Sequence, residues 1–206
     1  NAGSLNFNSA GAVTIQEDSA SALAGSNTAA SLVLTSAGAI TDASTSLAVT
    51  GLANFSGTAI TVGGPASTTN FGTLTFNSVG AVTIQEDSNT VITGTNTALS
   101  LTLTSSGAIT DASGTSITVT NNGSFIATNA VTLNDNATDV LSVGGTASFA
   151  GSTVNVGATG TFNAGSLNFN SAGAVTIQED SNTDITGTNT ALSLTLTSSG
   201  AITDAS

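Results

Sequence analysis

The chain has no Lys, Arg, His, Cys, Met, Trp or Tyr, and a single Pro, in 206 residues. Each absence excludes a class of chemistry. A nucleic-acid binder needs cations to displace phosphate counterions, and there are none. A basic membrane-surface segment is excluded for the same reason. The usual zinc ligands, Cys and His, are missing. Disulfides and thiol chemistry are impossible. Serine and cysteine triads lack a His or Lys base, so the chain is expected not to be an enzyme. A glycosidase needs only two carboxylates, but Trp and Tyr, the usual sugar platforms, are also absent. No apolar run approaches the roughly 20 residues of a membrane span. The chain opens on Asn1 with no charged and apolar leader, and reads as an excerpt or processed piece of something longer.

What is present is small, polar and acidic. Twelve Asp and Glu give a net charge of -12, yet charged residues are only 6% of the chain. Hydrophobic residues reach 39%, regularly placed, so the chain can bury a core and is not a flexible linker. Self-comparison organises it. GAVTIQEDS occurs at Gly11–Ser19, Gly80–Ser88 and Gly173–Ser181, and GAITDAS at Gly38–Ser44, Gly107–Ser113 and Gly200–Ser206. Residues 73–113 and 166–206 match at 37 of 41 positions. The GAVTIQEDS copies are 69 and then 93 residues apart, and the difference of 24 reads as one inserted unit. Residues 1–19 are identical to 163–181, so the chain begins and ends in one phase of a 162-residue super-repeat. That suggests a window of a longer array, whose end coils pair with more of the same chain or with another copy.

Within the repeats, apolar residues alternate with polar ones, as in Leu5/Phe7, Val13/Ile15, Leu32/Leu34, Ile60/Val62, Leu101/Leu103, Ile117/Val119, Val131/Leu133 and Val154/Val156. Period two means strands with one buried face. Gly and Asn punctuate the runs and supply turns. Short strands in stacked, near-identical units predict an all-β parallel β-solenoid of eight to nine coils, roughly 40 Å long at about 4.8 Å per coil. Coil openings fall at Ser4, Ser31, Leu52, Thr73, Ser100, Ser124, Ser148, Ser166 and Ser193. Residues 1–206 read as one continuous solenoid with internal units 4–72, 73–165 and 166–206, the last truncated. The eight Phe are assigned to core stacking. An array of β-sandwiches suits a 93-residue spacing but not 69, because losing 24 residues would remove two or more strands from a sandwich.

The runs SLVLTSAGAITDAS, SLTLTSSGAITDAS and GSLNFNSAGAVTIQEDS resemble repeats of very large bacterial surface proteins. These are the filamentous-haemagglutinin-like exoproteins and the autotransporter-type "β strand repeat" adhesins. The resemblance covers essentially the whole chain. It implies a right-handed parallel β-helix, a secreted or cell-surface location, and an adhesive or scaffolding role. The chain departs from that family in lacking any cation, and it lacks the G-G-x-G-x-D nonapeptides of calcium β-rolls.

The acids are clustered. Glu17–Asp18, Glu86–Asp87 and Glu179–Asp180 lie in the three QEDS turns, and Asp42, Asp111 and Asp204 in the three TDAS turns. Asp18 to Asp42, Asp87 to Asp111 and Asp180 to Asp204 are the same distance apart in sequence. If that shared spacing makes one turn, each triplet lies on one edge, where like charges about 5 Å apart repel by roughly 1–3 kcal/mol. Either water solvates that edge or a hard divalent cation, calcium, bridges it with oxygen ligands. Aligning the units on Gly11 and Gly38 instead gives a longer offset, which separates Asp42 from Asp18. Asp135 and Asp139 in LNDNATD form a second candidate pair. The functional expectation is a structural segment of a cell-surface or extracellular fibre. The alternative is an adhesin module gripping a glycan, mineral or ice surface through Ser, Thr and Asn. The T-x-T pairs that ice would favour occur only in LTLT (101–104) and TSITVT (115–120).

Overall fold

Alternation becomes strand from one end to the other. The computed structural model describes residues 2–205 and has no helix among them. It is an all-β solenoid whose 21 strands join in one sheet through parallel pairings. One ladder runs Ser21, Ile40, Ile60, Val82, Leu101, Gly123, Ala147, Leu167, Ile185, Asp204, and its nine steps make about nine turns. Each coil contributes three ladder segments. In the strand Ile40–Gly57, Ile40 and Thr41 pair with Ile60 and Thr61, Ser46–Val49 with Thr68–Phe71, and Leu52–Gly57 with Thr73–Ser78.

The inward residues form one continuous apolar column. It is built of aliphatics with Phe55, Phe71, Phe76, Phe125, Phe149, Phe162 and Phe169. Phe125 stacks on Phe149 at 5.4 Å, and Phe149 meets Phe162 edge-on at 5.8 Å. Such pairs add about 0.5–1.5 kcal/mol each to the area they bury. Phe7 packs against this column from the first coil. Outward positions are polar and also stack in register, as in Thr41, Thr61, Thr83, Thr102 and Ser124.

The coils are shorter than the spacing of their openings suggests. Ser31 pairs with Ala12 and not with Ser4, and Ser100 and Ser193 pair with Ala81 and Ala174 at the same offset. The stretches Ser4–Ser31, Thr73–Ser100 and Ser166–Ser193 therefore hold one turn plus one strand. The spacing between successive GAVTIQEDS copies behaves alike. Val13 steps to Leu32, Ala53 and Leu74, and the next strand carries Val82. Val82 steps to Leu101, Gly123, Ala147 and Leu167, and the next strand carries Val175. The longer repeat thus holds one more coil, and each copy of GAVTIQEDS starts one strand further round than the last.

That advance requires a dislocation in the ladder, and the repeated motifs build it. The first half of the strand Thr68–Ser78 faces no strand in the following coil. Thr69 N–H donates to Asp87 Oδ2 at 2.8 Å and Phe71 N–H to Glu86 Oε1 at 2.9 Å. The second half covers two strands, with Leu74 opposite Ile92 and Asn77 opposite Thr97. Between those strands the chain turns at Gly94, whose φ of 69° favours glycine, and the buried Asn96 fills the gap. Asn96 Oδ1 accepts Phe76 N–H at 2.9 Å, and its Nδ2 donates to the Thr93 and Gly94 carbonyls. The other copies repeat the device. Phe162 and Ala164 N–H donate to Asp180 and Glu179, and Asn189 accepts Phe169 N–H after Gly187. In the first copy, Ala2 N–H donates to Glu17 and Phe7 N–H to Asn27.

Candidate functional site: a three-carboxylate cluster

The QEDS acids occupy places where a strand is missing. Glu86 is fully buried, and its carboxylate accepts Phe71 N–H, Ser88 Oγ–H and, at 2.8 Å, Thr90 Oγ1–H. Burial pushes its pKa up, against those three hydrogen bonds, and neighbouring Asp87 adds to the rise. Glu179 repeats the geometry through Ala164 N–H and Ser181 Oγ–H. In that copy Glu179 Oε2 and Thr183 Oγ1, counterparts of a bonded pair around Glu86, are buried without hydrogen-bond partners. These carboxylates act as acceptors for backbone donors that the ladder leaves over.

The equally spaced triplets do not converge. Glu17 pairs with Ser36, Glu86 with Ser105 and Glu179 with Ser198, so one turn ends well before the TDAS acid is reached. Asp42 pairs instead with Leu23. Among the described residues, no three of Glu17, Asp18, Asp42, Glu86, Asp87, Glu179, Asp180 and Asp204 gather their carboxylates into one cluster. Asp42 accepts Ser44 N–H at 2.8 Å and Gly63 N–H from the next coil at 3.0 Å. The premise that Asp18 to Asp42 spans one turn fails because the turn there is shorter than that spacing, Glu17 already meeting Ser36.

A different trio does converge. Asp111, Asp135 and Asp139 bring one carboxylate oxygen each to within 4.8 Å of one another. Asp111 ends the strand Ile109–Asp111, and the next coil brings LNDNATD over it, after the strand Val131–Leu133. Asn134 turns the loop at φ 58° and donates its N–H to both Asp111 oxygens, at 3.2 and 3.0 Å. Asp139 is fully buried. Its Oδ1 accepts Gly114 and Thr115 N–H at 2.7 and 3.2 Å, and its Oδ2 accepts Asn136 N–H at 3.0 Å. Asp135 is exposed and accepts Asn136 Nδ2–H at 2.7 Å. Desolvation, then repulsion from Asp139 and Asp135, lifts Asp111 to about 6 against the hydrogen bond from Asn134.

Three clustered carboxylates in a chain without Lys, Arg or His offer oxygen ligands of the kind calcium takes. The exposed Asp135 leaves the cluster open to solvent, while Asp139 is fixed by three backbone donors. From sequence, Asp111 is one candidate and Asp135 with Asp139 is another, and the fold joins them across one coil. Sequence reading missed the inward Asn27, Asn96 and Asn189. Their signal is a Gly-x-Asn at one phase of every copy: Gly25-Ser26-Asn27, Gly94-Thr95-Asn96 and Gly187-Thr188-Asn189.

Residues 79–145 match the model of a family described as "Repeats of unknown function (DUF5649)". The match covers the second GAVTIQEDS copy and the coil that carries Asp135 and Asp139, so the chain is similar to that family over about a third of its length. No curated protein matches the chain, and no solved structure matches it.

Proposed function

We propose that this repeat solenoid is a structural segment of a bacterial cell-surface or extracellular fibre, with a scaffolding rather than a catalytic role. The observation that carries this reading is the single parallel ladder with one uninterrupted apolar column, whose buried acids accept backbone donors. Such a rod spans distance, tolerates whole-coil insertion and shields its backbone from proteases. The absence of Lys and Arg also removes every trypsin-type cleavage point. The repeat runs that resemble those of giant bacterial surface proteins support the surface or extracellular part of this reading. Antibody labelling of intact cells that produce the protein tests the reading. Signal on unbroken cells or in the medium supports it. Signal only after lysis overturns it.

A second reading, an adhesin face, is favoured by the exposed ladder Thr41, Thr61, Thr83 and Thr102, which sets hydroxyls at the spacing of parallel strands, about 4.8 Å. A glycan array probed with the chain and with a variant carrying Ala at these four positions would distinguish the two. Retention by a sugar that the variant loses favours adhesion. No retention leaves the scaffold reading alone.

A further inference from the structure

We infer that the corner formed by Asp42 and the loop 63–67 is a binding site for a small primary ammonium, an alkylamine on a short apolar stem. This goes beyond the scaffold reading and stands without it. The fold builds the same corner twice. Asp42 and Asp111 each follow a Thr, and each carboxylate accepts the N–H of a next-coil residue at positive φ, Gly63 at 76° and Asn134 at 58°. A hydroxyl pair then ties each coil to the next, Ser44 Oγ with Ser67 Oγ and Ser113 Oγ with Thr138 Oγ1, both at 3.4 Å. Beyond those pairs the corners differ. In the first the ladder resumes where Ser46 meets Thr68, and in the second where Ser116 meets Val140, one residue later in each coil. The extra length brings in Gly114 and the buried Asp139, whose carboxylate fills the corner by accepting Gly114 and Thr115 N–H. The first corner has no such plug, and a cavity of about 490 Å³ opens there. Gly64 stands where the other loop has Asp135, and a Cβ on it would meet nothing within 4 Å.

The lining selects the ligand. Asp42, Ser44 and Ser67 supply polar groups, and Ala43, Pro65 and Ala66 an apolar wall. Asp42 is held in place, Oδ1 by Ser44 N–H at 2.8 Å and Oδ2 by Gly63 N–H at 3.0 Å. Each bond uses one acceptor position of its oxygen and leaves another. No Lys, Arg or His exists to neutralise the carboxylate from within the chain. Pro65 presets the turn that Ser67 N–H closes on the Gly64 carbonyl at 3.0 Å, so the rim is formed before a ligand arrives. A primary ammonium brings only donors, which match a carboxylate flanked by hydroxyl oxygens. Its stem then covers the Pro65 ring and the two alanines. One carboxylate is a poor match for calcium, which takes about six to eight oxygen ligands. A sugar would lack the Trp or Tyr platform that the chain does not contain.

The test is a titration of the isotope-labelled chain with n-butylammonium chloride at neutral pH and constant ionic strength, followed by amide NMR. Saturable shifts should appear at the Ser44, Gly63 and Gly64 amides, with a millimolar Kd. Affinity should rise at least about tenfold from methylammonium to n-butylammonium as the stem covers the apolar wall. Asp42→Asn, its fold checked by circular dichroism, should abolish saturation. Ala43→Leu changes an exposed side chain that takes no part in the Asp42 hydrogen bonds. It should weaken n-butylammonium at least about tenfold and leave the melting midpoint in place. Unchanged binding by Ala43→Leu overturns the location. Shifts that never saturate, or that sodium chloride reproduces, overturn the site. An equal response to n-butanol overturns the need for the charge. Saturation by methyl glucoside and not by n-butylammonium gives the cavity to a sugar and overturns the ligand class.

Discussion

Glu86 shows why a chain without cations keeps its acids. Its carboxylate stands where a strand would be, so its worth lies in the donors it satisfies. Glu86→Ala strands Phe71 N–H in the core and should cost about 3 kcal/mol in urea unfolding. Glu86→Gln keeps an acceptor for Phe71, and burial already disfavours the charge. It should cost less than about 1 kcal/mol, and a loss as large as that of Ala would show the charge itself to be required. Asp111 gives a pH signature. In the folded chain it releases its proton near 6, against 3.8 for the ordinary group. Between those values the folded state binds more protons than the unfolded one, so stability falls as pH rises through the window. Denaturant titrations at pH 4.5 to 7.5 should show this slope, reduced in Asp111→Asn. Calcium would act in the opposite sense by favouring the ionised cluster. At pH 7.5 millimolar calcium should raise the melting midpoint, and the exposed-site variant Asp135→Asn should lose the rise. An unchanged wild-type midpoint would leave the cluster a backbone clamp. The acids were visible in the sequence and their roles were not. A carboxylate that replaces a strand and one that faces water are written alike, and only the true length of the turn separates them.

At the scale of strands and coils, period-two alternation and the unequal spacing of the GAVTIQEDS copies were legible, and they carry the all-β solenoid. The phase was not. LTLT, LNFN and AVTI present the same alternation on any face, so the sequence leaves open whether the stretch from Thr73 to Ser100 closes one turn or a turn and one strand more. The strand that splits over Ile92 and Thr97 decides it, through Gly94 and Asn96. The inserted coil makes this testable. Gly123 pairs with Ala147 and Phe125 with Phe149, so deleting residues 123–146 joins Asn122 to the equivalent point one coil later. Leu101 and Leu103 would then meet Ala147 and Phe149, as Leu32 and Leu34 meet Ala53 and Phe55. Asp111 would meet Gly157 N–H at φ 76°, the arrangement Asp42 has with Gly63 at φ 76°. The shortened chain should keep its β circular dichroism and cooperative unfolding, and be shorter by about 4.8 Å in solution scattering. Loss of β structure would show that coil to be required for the fold. The deletion also removes Asp135 and Asp139, so any calcium response should vanish with it.

For the whole rod, stability is local. Each coil packs only on its neighbours, so an interior coil is held on two sides and an end coil on one. The same sequence shows the difference: Leu101 and Ile109 are 2% and 0% exposed, while their counterparts Leu194 and Ile202 are 47% and 50% exposed. At about 25 cal/mol per Å² of apolar area, an uncovered coil lacks much of what keeps its interior twin closed. Opening should therefore start at the ends and run inward. Amide hydrogen exchange followed by mass spectrometry on the isolated chain should find the strands Ser193–Ser198 and Ile202–Asp204 exchanging first. Their near-identical counterparts Ser100–Ser105 and Ile109–Asp111 should rank with the most protected segments. Because the compared segments share composition, intrinsic exchange rates cancel and the contrast reports position alone. Equal protection of the two copies would mean that the rod opens as one unit, and the nearest-neighbour account would fall. Protection of the terminal copy that grows with protein concentration would instead mark the coil being covered by a second molecule.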